Sequence, residues 1–142
     1  MQAQQTFILM NLENLIAVSG LSGIYRMAGN RSNGLIIEDL QSGKKRFASA
    51  RKHQFTPLES IAIFTDDGES LELKKVFERM LEQLEDNPLA NPNGSQDELF
   101  DYFGDILPNY DPDRVHARDV KKVIKWFDSL HKNGIFNFEE EE

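Results

Sequence analysis

The sequence contains no cysteine. Disulfides, thiolate nucleophiles and zinc–thiolate sites are thereby excluded, and the absence fits a reducing compartment. Histidine is scarce too, with three copies, and none stands in an HExxH pattern. Basic residues are outnumbered, 16 against 24 acidic, for a net charge of −8. A field of that sign repels nucleic acid and anionic membrane overall. No apolar run approaches the roughly 18 residues needed to span a bilayer. The opening "MQAQQTFILMNLENLIAVSG" lacks a basic start, and Glu13 interrupts its apolar stretch, so it does not read as a signal peptide. The chain is expected to be cytoplasmic, with no membrane partner. Met10 is a candidate natural start, with residues 1–9 upstream of it.

The chain has 142 residues, 39% of them hydrophobic, including ten phenylalanines. That is enough for one cored domain, or a small domain with an appendage. The charge divides unevenly: six basic and twelve acidic residues from Asn87 on, ten and twelve before it. There is no internal repeat.

The pattern along the chain predicts an α+β protein. "NLENLIAV" at 11–18 reads as a short helix, capped by Asn11 and ended by Gly20. "GIYRMAG" is strand-compatible. Asn33-Gly34 signals a hairpin through residues that tolerate positive φ. Strands are expected at "LIIEDL" and "KRFASA", then a one- or two-turn helix from "TPLE". There Thr56 caps, Pro57 opens the helix and Glu59 reaches back. "SIAIF" is a further strand. Short strands at about ten-residue spacing suggest a small SH3-like antiparallel barrel or bent sheet over residues 20–65.

Helical periodicity follows at 72–86, with Leu73, Val76, Phe77, Met80, Leu81 and Leu84 on one face. A helical hairpin is expected at 96–131. Its first helix is capped by Ser95 and buries Leu99, Phe100, Phe103, Ile106 and Leu107. Its second buries Val120, Val123, Ile124, Phe127 and Leu130. "NGIFNF" can dock as an extended piece. The expected division is a 1–10 extension, an 11–87 β-domain with flanking helices, an 88–95 linker, the 96–138 hairpin and a solvated acidic tail at 139–142.

Four stretches, "SGLSGIYRM", "NGLIIEDLQSGKKRF", "LESIAIFTDDGE" and "LPNYDPDRVHARDVKKVIKWF", together resemble a family of uncharacterised bacterial proteins defined only as a domain of unknown function. The resemblance covers about Met10 to Leu130. It implies a small N-terminal β-domain joined to a C-terminal helical part. It carries over no activity and no catalytic residues.

Four groups could carry function. Gly20-Leu21-Ser22-Gly23 is glycine-rich, but a phosphate loop needs strand, loop, then helix, and the expected order is the reverse. It reads as a structural cap and turn, as Asn33-Gly34 reads as a turn. Lys44, Lys45, Arg46, Arg51, Lys52 and His53 interleave with Phe47 and Phe55, with Tyr25 and Arg26 on a neighbouring strand. Basic residues with aromatics can bind single strands or an acidic partner. On alternation, if Phe47 points inward, Arg46 and Ala48 point outward. Asp111, Asp113, Arg114, His116 and Asp119 could bind a metal, but their spacing fits no EF-hand, and they read as corner-locking turn residues. Lys121 and Lys125 share a helix face beside Lys122 and Trp126. That face reads as solvated, and Phe127 is the better core candidate.

The leading expectation is a non-enzymatic protein-binding or adaptor module, with no cofactor, metal or catalytic residue. Its partner is another protein or a second copy. The alternatives are nucleic-acid binding through the 44–55 hairpin, which the net charge disfavours, and a metal-dependent enzyme using Asp111, Asp113 and His116.

Overall fold

The computed structural model describes the backbone of residues 5–10 and 12–141, and the side chains of residues 12–136. Strands β2 (Leu15–Val18), β3 (Ile24–Arg31), β4 (Gly34–Asp39), β5 (Lys45–Ser49) and β6 (Phe55–Pro57) form one antiparallel sheet in the order β5-β4-β3-β2-β6. Strands β5 and β6 are its edges, so the bent-sheet alternative forms and, among the described residues, no closed barrel does. A 3₁₀ turn at Leu58–Ser60 leads to β7 (Ala62–Phe64), which pairs with β8 (Ser70–Glu72) in a separate sheet. Helices α1 (Leu73–Gln83), α2 (Gln96–Ile106) and α3 (Ala117–Lys132) follow. Strand β9 (Phe136–Glu141) returns to pair antiparallel with β1 (Gln5–Met10).

The expected helix at 11–18 does not form. Leu15 N–H closes a turn on the Leu12 carbonyl, and Asn14 takes φ 63°. The Met27 N–H then donates to the Asn14 carbonyl at 2.7 Å, drawing the chain into the sheet. β-Branched Ile16 and Val18 suit that extended run. The spacing of Leu12, Leu15 and Ile16 imitates a helix because β2 is covered on both faces, so its apolar residues are continuous. The Asn11 cap lies outside the described residues. Gly20 is consequently no helix cap. It and Gly23, at φ 81° and 84°, turn β2 into β3.

Other local expectations shift for similar reasons. Thr56 is a strand residue paired with Ala17, and Pro57 itself precedes the 3₁₀ turn with no side-chain cap. The strand in "SIAIF" leaves the main sheet. The Ser32-Asn33 hairpin is present, but neither Asn33 nor Gly34 has positive φ. Gly34 answers to crowding instead: a Cβ there would run into the Ala48 carbonyl and lie 2.9 Å from the Phe47 ring. Residues 5–10, read as extension, and 139–141, read as solvated tail, are strand residues paired with each other.

Alternation along β2 and β3 sends side chains to two cores. Leu15 and Ile24 join Leu58, Leu73, Phe77, Phe103 and Phe127 in a core that spans sheet and helices. Ile16 and Val18 join Ile37 and Ala48 on the sheet's other face, with Tyr25 and Phe55 against them. The rings of Phe77, Phe127 and Phe136 pack with centroids 5.0–6.0 Å apart, tying α1, α3 and the start of β9 together. Full burial of each such ring contributes about 1.5–3 kcal/mol. The helical hairpin therefore packs on the chain's own sheet.

Candidate functional site

The expected basic hairpin does not gather on one surface. Neighbours on β3, Tyr25 and Arg26 point to opposite faces. Arg46 lies over the Tyr25 ring, 5.8 Å from its centre, on the face of the smaller core. Lys45 pairs through Glu38 with Arg26 on the other face. Phe47 is on that second face too and is 45% exposed, whereas Ala48 is buried. The alternation holds, but with the opposite phase to a Phe47-inward strand. Lys44 sits in the β4–β5 turn, its carbonyl accepting from the Asp39 N–H. Asp39 accepts from the Ser42 and Gln41 N–H groups, and these bonds, Ser42's first, hold its carboxyl below the usual range. Arg51 and Lys52 lie beyond the far end of β5, and that end, Ser49, is itself roughly 13 Å from Lys45 at about 3.3 Å per residue.

The acidic group forms the corner before α3. Asp111 accepts from the Asp113 N–H at 2.9 Å and pairs with Arg114 at 3.7 Å. Asp119 accepts from the His116 N–H at 2.9 Å, closing the first turn of α3. Among the described residues, no three His, Asp or Glu side chains are arranged to hold a metal ion.

Two of the other groups do converge. The Ser19–Gly23 loop faces Lys122, Lys125 and Trp126 of α3 across a groove of about 460 Å³. A second lobe of about 410 Å³ continues from it, sharing Ile61, Lys122 and Trp126, and runs between β7 and the residues from Arg114 to Asp119. Lys122, Lys125 and Trp126 stand at i, i+3 and i+4, so they lie on one helix face; Lys121 is not in that set.

The loop is held in place. Ser19 N–H donates to the Gln54 carbonyl, and Gln54 N–H donates to the Ser19 Oγ at 2.7 Å. His53 Nδ1–H donates to the Ser19 carbonyl at 2.7 Å. His53 is thus a loop anchor. β7 is fixed at its end by the buried Thr65, whose hydroxyl donates to Asp67 Oδ1 at 2.6 Å. That bond, and then the Glu69 N–H, keep the Asp67 carboxyl below its usual range.

The electrostatics of the groove run against those of the chain. Arg114, Arg118, Lys122 and Lys125 line it, against the single carboxylate of Asp119, which caps α3. Arg118, Lys122 and Lys125 form no ion pair among the described residues. Ile61, Val115, Val123 and half-buried Trp126 supply an apolar lining. An anionic, partly apolar ligand meets complementary chemistry along the whole length.

Comparison with known proteins places this geometry in a family. Residues 12–58 match the model of a domain of unknown function (DUF5606), and residues 61–130 match that of a second (DUF6852). A solution NMR structure of a structural-genomics protein from Bacteroides vulgatus is 36% identical, with a TM-score of 0.71, covering 88% of this chain and 89% of that one. The chain belongs to the family of that Bacteroides protein. No curated protein matches. The resemblance carried by the four quoted stretches is thereby shown, with its N-terminal sheet and C-terminal helices. The two matched segments meet at the 3₁₀ turn, yet one core crosses the junction. The groove crosses it as well: the family's first segment supplies the Ser19–Gly23 loop, Gln54 and Thr56, and its second supplies β7 and α3. No single run of sequence contains the site, so adjacency of Ser22 and Lys125 leaves no local signal. Among the described residues, no helix is long and apolar enough to cross a membrane.

Proposed function

We propose that the protein is a non-enzymatic bacterial binding module, cytoplasmic in keeping with its lack of cysteine, that takes a protein partner in the groove between the Ser19–Gly23 loop and α3. One observation carries this reading: four cations and the lone tryptophan converge on one concave surface of a chain with net charge −8. A recognition element of opposite sign to its protein selects acidic partners through short-range charge complementarity. Aromatic and arginine side chains are the residues on which interfaces concentrate their energy.

The test is photo-crosslinking in cells. A crosslinking residue at Lys125 is expected to capture a defined partner, while one at Phe47, on the edge strand β5 and outside the groove lining, captures none. The Lys125 product is expected to vanish when Lys122→Glu is added. Equal capture from both positions, or capture indifferent to Lys122→Glu, contradicts the reading. The mass of the product distinguishes a second copy of the chain from a different protein.

A further inference from the structure

We propose that the partner binds as an extended acidic segment, added as a strand to the open edge of β7. The inference rests on the groove reading above and names how the groove is filled.

The backbone of β7 carries the argument. In an antiparallel ladder, successive residues turn their N–H and C=O groups to opposite sides. The Leu73 N–H donates to the Ile61 carbonyl, and the Thr65 N–H donates to the Glu69 carbonyl. Residues 61, 63 and 65 thus bond toward β8. Ala62 and Phe64 turn their backbone groups the other way, toward the groove. Ile61, Ala62, Ile63 and Phe64 all line the second lobe. A strand borders a cleft with consecutive residues when its edge, not one of its faces, forms the wall.

The chain itself starts to pair with this edge and then leaves. Thr65 and Tyr110 form an antiparallel bridge, with Asp111 N–H on the Phe64 carbonyl at 2.9 Å and Asp66 N–H on the Asn109 carbonyl at 2.8 Å. At Pro112 the chain turns off into the corner before α3. Asp111 stands opposite Phe64; past that point both Ala62 backbone groups have no backbone partner among the described residues. A segment continuing the line of Asn109–Asp111 completes those two bonds. Strand addition to an exposed edge supplies affinity through main-chain bonds and specificity through alternate side chains.

Both kinds of side chain find partners in the cleft. Arg114, Arg118 and Lys122 line it with cations, and Val115, Val123 and Trp126 line it with apolar surface. The partner segment therefore combines acidic and apolar residues, and a peptide that alternates them offers both to the cleft.

The test uses the full chain, ¹⁵N-labelled, and a blocked peptide of alternating Glu and Val, seven residues long. Two N-methylated versions each remove alternate peptide N–H groups. The expected result has three parts. Ala62 and Phe64 amide signals shift, and exchange of the Ala62 amide slows. One N-methylated peptide loses about tenfold in affinity while the other binds like the parent, because only one edge of the peptide faces β7. Lys122→Glu weakens the parent peptide by at least about tenfold. Peptide binding that moves Trp126 but leaves Ala62 and Phe64 unchanged, with both N-methylated peptides equal, overturns strand addition and leaves the groove reading standing. Equal binding of a Lys-Val peptide overturns the acidic assignment. No response at Trp126 even at low salt overturns both readings.

Discussion

Arg114 lies over the ring of Phe64, its guanidinium carbon 4.8 Å from the ring centre. The contact joins the corner before α3 to β7, and so fixes the width of the cleft between them. Arg114 also pairs with Asp111 at 3.7 Å, with its side chain 59% exposed. Arg114→Ala is expected to cost only about 0.5–1 kcal/mol in a urea titration, because both contacts are solvent-screened. Arg114→Lys does not restore the flat stacking contact.

Gly34 and Gly23 are expected to respond differently to alanine. At Gly23 the added Cβ meets open space, and the cost is that of φ 84°, about 1 kcal/mol. At Gly34 it runs into the Ala48 carbonyl, which belongs to the paired strand and cannot withdraw. Gly34→Ala is expected to cost about 3 kcal/mol, by displacing β5. Thermal unfolding of the two variants side by side gives the order.

Two phenylalanines separate core from surface. Phe77 is fully buried and packs on Phe127 and Phe136, so Phe77→Ala is expected to cost about 3–5 kcal/mol. Phe47 is nearly half exposed, so Phe47→Ala is expected to cost about 1 kcal/mol or less. Denaturation midpoints measure both.

Tyr102 supplies a pH signature. Its hydroxyl is buried, makes no hydrogen bond among the described residues, and is pushed up from 10.0 to about 12 by burial. The unfolded chain ionises first, so this group's contribution is complete below pH 10 and is lost as pH rises from 10 toward 12. Tyr102→Phe is expected to raise stability at neutral pH by up to about 1 kcal/mol, by removing an unpaired buried hydroxyl. It is also expected to remove part of the alkaline decline. A pH series of urea midpoints for the two proteins checks the sign.

The helices were legible because each buries one stripe against a single core. Val120, Val123, Ile124, Phe127 and Leu130 are all buried, as their spacing predicts. Leu99, Phe103, Ile106 and Leu107 are buried likewise, while Phe100 instead stacks on Tyr110 at 5.7 Å. The sheet was legible in its hairpins and not in its ends. β2 is sandwiched between two cores, so its unbroken apolar run carries no period of two. Phe47 shows a related failure: period fixes which residues share a face but not which face is inside.

The groove was legible only in pieces. The Gly20–Gly23 loop and the Lys122, Lys125, Trp126 face were each visible, and each had an adequate local explanation as turn and as solvated helix. Their meeting depends on packing the hairpin onto the sheet, which no local pattern encodes. The basic 44–55 stretch was the more conspicuous feature, and strand alternation splits it between two faces.

Trp126 is the only tryptophan in the chain, so its fluorescence reports the groove alone. The most direct measurement is a titration of that emission with the alternating Glu-Val peptide, at low and at physiological salt. The account predicts a saturable change that weakens with salt and is abolished by Lys122→Glu together with Lys125→Glu. A flat titration at both salt concentrations, or one unaltered by the double substitution, would contradict it.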